Sequence, residues 1–464
     1  MLSKIRLAFL LTSSLILTAC QVFSTPVNPT ITPTPVNYDL PPDTSTPPDA
    51  TRTPVPSLTA TIIPPSQTAT LASTISPTQT TIPINVQLSI FDSLWTIVNE
   101  TYVYTDFNGL DWNAIHEEYQ QIITSGLTNT RFYLTMSELI DQLGDEHSYF
   151  IDPQQVSEQI AEYEGEHDYV GIGIMISAVP ERQRAVILSV FPGSPAEAIG
   201  LQPRDSIISV DGIPILNEDG YLQDIVRGPE GTKVNLWVQT PGQDPRELQL
   251  TRSRITGDYS IAHEILINPE GKRIGYIFLL TFMDGTVDEQ VAQALEEMSA
   301  YAPLDGLILD NRMNEGGSSL VFEPILSYFI SGNLGYFIRH SEEYPLMVKL
   351  HDIHGSSQLP LVILVGPGTT SFGEIFSGIL QDTGRAYLMG TTTQGNVEVL
   401  WGYDFEDGSQ LWLANETFRP LNHSGQDWEA SGIIPDMVVQ GEFDQYSLEN
   451  DPAVLAAIQY LSGQ

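Results

Sequence analysis

Ser371 has the sequence setting that best suits covalent chemistry. It follows an apolar run, LVILV (361–365), and a turn, GPGTT (366–370), and it precedes an amphipathic segment. A serine at a strand-to-helix turn exposes its hydroxyl beside the unpaired N–H groups of a helix N-terminus, as an acyl-transfer nucleophile requires. The same position suits a helix N-cap, because Glu374 would complete a capping box. The local pattern leaves both roles open.

Alternating strand and helix patterns over residues 256–464 predict the fold that would position Ser371. Strand-like runs lie at IGYIFLL (274–280), GLILDNR (306–312), LVILV (361–365), AYLMG (386–390) and LWLAN (411–415). Helical patterns lie at 287–298, at 321–330, after Ser371 and at 453–461. Such alternation predicts an α/β layered core with a largely buried sheet. Over residues 86–166, apolar residues recur at three- and four-residue intervals, which predicts an N-terminal helical domain.

Residues 1–20 have the pattern of a secretory signal. Lys4 and Arg6 precede an apolar run at 7–17, and Cys20, the only cysteine in the chain, follows. A basic start and an apolar stretch too short to span a bilayer comfortably are typical of such signals. The segment resembles a bacterial lipoprotein signal, in which the cysteine becomes the lipid-modified N-terminus. An ordinary signal peptide and an N-terminal anchor are the alternatives.

Residues 21–85 are rich in proline and threonine and carry few charges. Such a segment cannot build a core, so it is predicted to be a disordered linker that holds the folded part away from the membrane. With a lipid on Cys20, the protein would be extracytoplasmic, in the cell envelope, and attached to the membrane through this anchor.

The charge of the chain excludes some classes of partner. It has 58 acidic and 19 basic side chains, a net charge of −39, which argues against nucleic acid and against anionic membrane surfaces. No histidine pair stands at metal-ligand spacing beside a carboxylate, and no glycine-rich phosphate loop joins a strand to a helix. The sequence therefore predicts neither a metal site nor a cofactor.

Residues 167–255 switch to short strands separated by glycine turns. The segments YVGIGIMI (169–176), AVILSVFPGSPAEAIGLQPRDSIISVDGIPI (185–215) and VRGPEGTKVNLWVQ (226–239) resemble a PDZ domain. PDZ domains bind an extended peptide C-terminus by strand addition, with backbone N–H groups holding the carboxylate. The resemblance implies that Gly171, Ile172 and Gly173 contact the substrate. Alternatively, the domain only supports or gates its neighbour.

The order of the parts resembles the C-terminal processing, or tail-specific, serine peptidases, which have a ClpP/crotonase-like core. The matching motifs are LGDEHSYF (143–150), the PDZ segments, ILDNRMNEGG (308–317), VGPGTTSFGEIFSGILQDTGRAYLMG (365–390) and EASGIIPD (429–436). The resemblance implies that Ser371 is the nucleophile. It also implies that the oxyanion is bound by the N–H groups of Phe372 and of the pair Gly316-Gly317, of which Gly317 is favoured. Glycine lets a backbone N–H approach a substrate carbonyl closely.

Asn396 departs from the pattern of this family. The processing peptidases carry a lysine base in the loop after the nucleophile's helix, and an asparagine cannot accept the proton of a serine. The tricorn-like branch of the fold uses a histidine from the N-terminal helical segment and a glutamate downstream of the serine. Here these map to His147 and Glu429. The group that orients the ring stays open among Asp145, Ser148 and Glu429, and His423 is the rival base.

The function predicted from the sequence is an extracytoplasmic serine endopeptidase that acts on polypeptides through an acyl-enzyme. The PDZ domain would recruit substrates, through their C-termini, or gate access to the site. The alternative is an inactive binding protein or PDZ adaptor on the same scaffold, which Asn396 favours.

Overall fold

The computed structural model describes residues 81–463, apart from residues 146, 164–168, 258 and 341. All of them belong to one unit, residues 77–464. The predicted signal with Cys20, and the linker as far as residue 80, lie outside the described residues. Among the helices of the described residues, none is both long enough and apolar enough to cross a bilayer.

The described chain contains both α-helices and β-strands. The α-helices are α1 Ile84–Thr101, α2 Trp112–Thr124, α3 Asn129–Asp141, α4 Pro153–Tyr163, α5 Pro195–Ala198, α6 Val287–Ser299, α7 Ser319–Ser327, α8 Phe372–Asp382, α9 Trp428–Ser431 and α10 Pro452–Ser462. The strands are β1 Tyr149–Ile151, β2 Tyr169–Gly171, β3 Ile174–Val179, β4 Arg184–Val190, β5 Ser206–Val210, β6 Ile213–Pro214, β7 Lys233–Gln239, β8 Arg246–Thr251, β9 Ser253–Ile255, β10 His263–Ile267, β11 Arg273–Phe278, β12 Gly306–Asp310, β13 Gly332–Arg339, β14 Glu342–Val348, β15 Leu361–Val365, β16 Tyr387–Gly390, β17 Val399–Asp404, β18 Gln410–Pro420 and β19 Met437–Val438.

The N-terminal helices α1, α2 and α3 pack around one apolar cluster. Their buried side chains follow the predicted helical spacing, and α1 begins at Ile84, within the segment assigned to the linker (21–85). Asp111 and Thr128 cap α2 and α3 by accepting backbone N–H bonds, as residues of these types favour. The cluster is completed by Leu411 and Leu413 of β18, so the helices are anchored on the C-terminal part of the chain.

The core sheet has the strand order β10-β11-β12-β15-β16-β19, with β10 antiparallel to β11 and the other pairs parallel. Every residue of β12 and β15 is buried, as expected for parallel strands covered on both faces. Asp310 at the end of β12 pairs with Leu364 of β15. The loops that follow these two strands therefore leave the sheet at neighbouring points. The predicted α/β core is confirmed.

A second sheet was only partly predicted. Strand β18 spans Gln410–Pro420, more than the predicted 411–415, and it pairs with β1, β13 and β17. The hairpin β13–β14 was missed, because its half-exposed strands lack a continuous apolar run. At Trp412, β18 pairs with Tyr149 of β1 and with Gly402 of β17. Both partners run antiparallel to β18, so β1 and β17 begin at the same end of this sheet.

The strands predicted to be PDZ-like form a sheet with the order β3-β4-β5-β7-β8, with β3 at one edge. Arg204, on the turn before β5, links this sheet to the core. Its guanidinium donates to Asp451 at 2.8 Å and to Asp310 at 3.4 Å. Arg312 donates to the same two carboxylates, at 2.6 Å in each case. All four side chains are buried, so two aspartates are neutralised by one arginine from each region.

We expect Arg204→Ala to lower the free energy of unfolding by about 3 kcal/mol, because two buried aspartates would then share one arginine. Urea or thermal unfolding of the purified protein measures the change. Arg131→Ala serves as the control, since Arg131 pairs with Glu138 on the surface and should contribute less than about 1 kcal/mol. Equal stability of Arg204→Ala and the wild type would contradict a role for the buried network in stability.

Candidate active site

Ser371 lies between β15 and α8 with φ 52° and ψ −129°. A non-glycine residue with positive φ is strained and persists only where its surroundings hold it. Its N–H donates to the carbonyl of Asn396 at 2.8 Å, and its carbonyl accepts the N–H of Glu374 at 2.9 Å. Its side chain forms no N-cap hydrogen bond. No other hydrogen bond to this hydroxyl is found in the described part of the chain, so the hydroxyl is available for chemistry, and the capping alternative does not describe this serine.

Glu374 was the proposed partner in a capping box, and the structure gives it another role. Its buried carboxylate accepts the N–H groups of Gly395 and Asn396, both at 2.8 Å, and the hydroxyl of Thr393. Burial raises the pKa of Glu374 above its ordinary value, while these hydrogen bonds lower it. The contacts fix the loop 393–396, whose Asn396 carbonyl holds Ser371.

The glycine pair after β12 lies against the nucleophile. A Cβ added to Gly316, which has φ +87°, would lie 2.7 Å from the Cβ of Ser371 and 2.9 Å from the nitrogen of Phe372, so only glycine fits there. The N–H of Gly316 donates to Asn314 at 2.9 Å. Within the described residues, the backbone N–H groups of Gly317 and Phe372 have no acceptor. These two N–H groups, which are the donors predicted from the sequence, are free to bind an oxyanion.

His147 lies between α3 and β1, where Asp145 shapes the backbone. Asp145 accepts the N–H of His147 at 3.0 Å, and both the N–H and the hydroxyl of Ser148, at 2.8 and 2.6 Å. Ser148 in turn accepts the N–H of Ala414 at 3.0 Å, which ties the turn to β18. Asp145 and Ser148 therefore position the backbone at His147.

Glu398 is the carboxylate that faces the imidazole. Its Oε2 lies 2.7 Å from Nδ1 of His147, within ion-pair distance although not aligned as a linear hydrogen bond, and the two side chains are 2% and 9% exposed. The hydroxyl of Tyr104 donates to the other oxygen. Burial acts to raise the pKa of Glu398, but contacts with His147, Tyr104 and Glu429 hold it below its ordinary value. Glu398 is thus a charged partner for His147.

Glu429, on α9, lies beside Glu398. Its Oε2 accepts the N–H of Val397 at 2.6 Å. Burial, together with the adjacent charge of Glu398, raises the pKa of Glu429 to about 8. At neutral pH Glu429 is therefore a neutral acid that donates to Glu398. Glu429, which the sequence predicted as a polarising partner, therefore acts on Glu398, the carboxylate that contacts His147.

Sequence reasoning missed Glu398, although it lies just beyond Asn396. His147 lies just before β1, and Glu398 lies just before β17. Both strands pair with β18 and begin at the same end of that sheet. The loop that carries Glu398 also holds Ser371 through Asn396. No hydrogen bond joins His147 to the Ser371 hydroxyl among the described residues. The available signal was the position of Glu398, a carboxylate two residues beyond Asn396 in the segment that lacks the lysine.

The rival base, His423, lies away from the nucleophile. Its Nδ1 is 2.6 Å from Oδ1 of Asp382, the last residue of α8. Ser371 stands at the first end of that helix, which at 1.5 Å per residue is about 16 Å long. His423 is thus placed at the opposite end of α8 from Ser371.

The predicted substrate contacts of the PDZ region lie between β2 and β3. The carbonyl groups of Ile172 and Gly173 accept the N–H groups of Ala196, at 2.9 Å, and Phe191, at 3.0 Å. The side chain of Ile172 is fully buried in the apolar cluster of this domain. Gly171, Ile172 and Gly173 are all buried, so any contact that they make with a ligand would be through backbone groups.

A strained serine beside two free backbone donors, with a histidine–carboxylate pair attached to the same loop, is an arrangement of serine hydrolases. Three family profiles match the chain in the order of its regions. They are the Tricorn protease C1 domain over residues 88–141, the PDZ domain over 186–240 and Peptidase family S41 over 273–439.

Relatives narrow the class to a processing peptidase. The carboxyl-terminal-processing protease of Synechocystis sp. is 30% identical over 80% of this chain and 85% of the relative. The protein of that name from Picosynechococcus sp. is 28% identical over 83% of this chain and 92% of the relative. The chain belongs to the carboxyl-terminal-processing proteases of peptidase family S41, as its motif order predicted.

A solved structure of a photosystem II D1 C-terminal processing protease has 25% sequence identity to the chain and a TM-score of 0.55. The match covers 76% of this chain and 93% of the solved one. The fold of the family is therefore present through the helical, PDZ and core regions alike, and the predicted fold class is confirmed.

We expect Glu429→Gln to remove part of the pH dependence of stability. The pKa of Glu429 rises on folding from 4.5 to about 8, so the folded state keeps a proton that the unfolded chain releases. The wild type should therefore lose stability as the pH rises through that window, and the loss should level off above it. A neutral glutamine has no proton to lose. The free energy of unfolding of Glu429→Gln, relative to that of the wild type, should therefore increase as the pH rises through the window.

Urea midpoints across the pH series measure this difference. Glu449→Gln provides the control, since Glu449 is exposed and the variant should follow the wild type at every pH. If Glu429→Gln loses stability with pH as steeply as the wild type does, Glu429 is not held protonated in the folded state.

Proposed function

We propose that this protein is a serine endopeptidase that cleaves peptide bonds through an acyl-enzyme on Ser371. The observation that carries the proposal is the backbone of Ser371, which is held at positive φ beside Gly317 and Phe372. Among the described residues, its hydroxyl and the N–H groups of Gly317 and Phe372 have no hydrogen-bond partner. Strain at such a residue is typical of a functional constraint. The strain at Ser371 supports its role as the nucleophile, because a purely structural helix cap does not require a strained backbone.

In the proposed reaction, His147 accepts the hydroxyl proton as the Ser371 oxygen attacks the substrate carbonyl. Because Nδ1 of His147 faces Glu398, the other ring nitrogen is the one available to the hydroxyl. Gly317 and Phe372 donate to the oxyanion of the tetrahedral intermediate. The imidazolium then protonates the leaving amine as the peptide bond breaks. Water, deprotonated by the same imidazole, attacks the ester, and the imidazolium returns the proton to the Ser371 oxygen as its bond to the acyl carbon breaks.

The carboxyl pair makes His147 a workable base without the lysine of related enzymes. Glu398 stabilises the imidazolium by its charge, and neutral Glu429 donates to Glu398 instead of repelling it. Tyr104 holds the second oxygen, and burial raises the pKa of Tyr104 so that its hydroxyl remains a donor. Asn396 contributes through its backbone, which binds Ser371 and Glu374.

The PDZ domain would recruit polypeptide substrates or gate their access, and it would hold their C-termini. Strand β3 supports this role, because in the described part of the sheet it pairs only with β4 and leaves one edge open. An extended chain can add to such an edge through main-chain hydrogen bonds. The backbone loop at Gly171–Gly173 immediately precedes this strand.

The location proposed is the extracytoplasmic face of a membrane, with Cys20 carrying the lipid. The basis is the basic start, the apolar run and the single cysteine after it, followed by the proline- and threonine-rich linker. A linker of that length would let the peptidase reach chains away from the bilayer.

We expect the full-length protein to react with a serine-directed fluorophosphonate and Ser371→Ala to lose the label. Peptidase activity should fall by about 10⁶-fold in Ser371→Ala and His147→Ala, because nucleophile and base act as one unit. Glu398→Gln should lower kcat by about 10⁴-fold, since a neutral amide neither stabilises the imidazolium nor fixes its tautomer. Labelling followed by peptide mapping, and hydrolysis of an unfolded protein substrate, provide the measurements.

Ser89→Ala is the matched control, since this exposed helical serine should leave labelling and turnover unchanged. An unlabelled wild type with an intact fold would favour the inactive binding protein or adaptor. Full activity in His147→Ala would remove its assigned role.

For the anchor, we expect Cys20→Ser to abolish incorporation of a labelled fatty acid and to release the protein from the membrane fraction, because the chain has no other thiol to modify. Ser24→Ala, a change in the same segment, should keep both properties. Lipid label retained in Cys20→Ser would rule out this anchor.

A further inference from the structure

Glu315 lies immediately before the glycine pair of the oxyanion loop. Its carbonyl accepts the hydroxyl of Thr370 at 3.0 Å, and Thr370 is the residue before Ser371. Its side chain reaches in the other direction, where Oε1 accepts the hydroxyl of Ser177 on β3. Glu315 therefore bridges the nucleophile turn and the edge strand of the PDZ domain.

The carboxylate of Glu315 is exposed but held in place. Ser177, its hydrogen-bond donor, is only 6% exposed, so one carboxylate oxygen is fixed by a buried group. Among the described residues, no lysine, arginine or histidine lies within ion-pair distance of Glu315. Glu315 thus holds a carboxylate between β3 and the nucleophile turn that no described side chain neutralises.

The negative charge of Glu315 disfavours the formation of the oxyanion. The N–H groups of Gly317 and Phe372 would bind a developing oxyanion, and a carboxylate on the same loop opposes that negative charge. A cationic side chain on the substrate would neutralise Glu315 and remove the opposition. An acidic side chain in the same place would add a second repulsion.

We propose that Glu315 is a specificity-determining residue that selects polypeptides with a lysine or arginine close to the scissile bond. The inference rests on the proposed function of Ser371 and adds to it the class of substrate. Glu315 spans the interval between Ser177 on β3 and Thr370 beside the nucleophile, so a chain that follows the β3 edge to Ser371 would pass its carboxylate. The selection acts on kcat/KM, because the charge affects both binding and the transition state.

The test uses the full-length protein in detergent and quenched fluorogenic peptides in which lysine, glutamine or glutamate occupies each position around the scissile bond in turn. At one position, the wild type should cleave the lysine peptide about tenfold faster in kcat/KM than the glutamate peptide. Glu315→Gln, which keeps an oxygen for Ser177, should bring that ratio near one and speed cleavage of the glutamate peptide. Glu315→Lys should reverse the preference.

Glu230→Gln controls for the overall charge of the protein. It removes one exposed carboxylate from the PDZ region without touching the oxyanion loop, and it should keep the wild-type ratio. Ser177→Ala keeps the charge of Glu315 but removes the hydroxyl that holds its carboxylate in place. This variant should reduce the ratio of kcat/KM between the lysine and glutamate peptides without abolishing the preference. A wild type that cleaves the peptides without charge preference, or a Glu315→Gln variant that keeps the preference, overturns this inference alone. A wild type that cleaves none of them overturns the proposed function as well.

Discussion

The buried carboxylate of Glu374 accepts the N–H groups of Gly395 and Asn396 and the hydroxyl of Thr393. This set of hydrogen bonds fixes the loop that faces the nucleophile, and the carbonyl of Asn396 in that loop binds the N–H of Ser371. This contact helps to hold Ser371 at a φ that non-glycine residues avoid. The same loop leads into Glu398, the carboxylate that faces His147.

Three glutamates share this region, and each avoids the cost of a buried charge differently. Glu374 is satisfied by backbone and hydroxyl donors. Glu398 faces His147 and Tyr104, which hold its pKa low. Glu429 keeps its proton, because burial and the charge of Glu398 raise its pKa. Two adjacent carboxylates of equal charge would repel each other, so the environment divides them into an acid and a base.

The sequence predicted the parts of the site that depend on short segments. Local pattern alone places Ser371, through the buried strand 361–365, the turn after it and the helix that follows. The glycines at 316 and 317 are needed because neighbouring backbone atoms leave no room for a Cβ at either position. The capping pattern showed only part of the role of Glu374, because its carboxylate also accepts the N–H groups of Gly395 and Asn396, which no local pattern brings near. The hairpin at 332–348 was missed because its strands are only partly buried.

By itself, the sequence determined the order of regions, the α/β core and the turn that exposes Ser371, since apolar runs and glycine positions act over a few residues. It also established that Asn396 cannot be the base. Only the tertiary structure decided that Glu398 faces His147. The two residues are far apart in the chain, and they meet because β1 and β17 both pair with β18 and start at the same end of it. The tertiary structure likewise decided that Glu315 joins the PDZ strand β3 to the nucleophile turn, because that contact depends on how the PDZ sheet packs against the core.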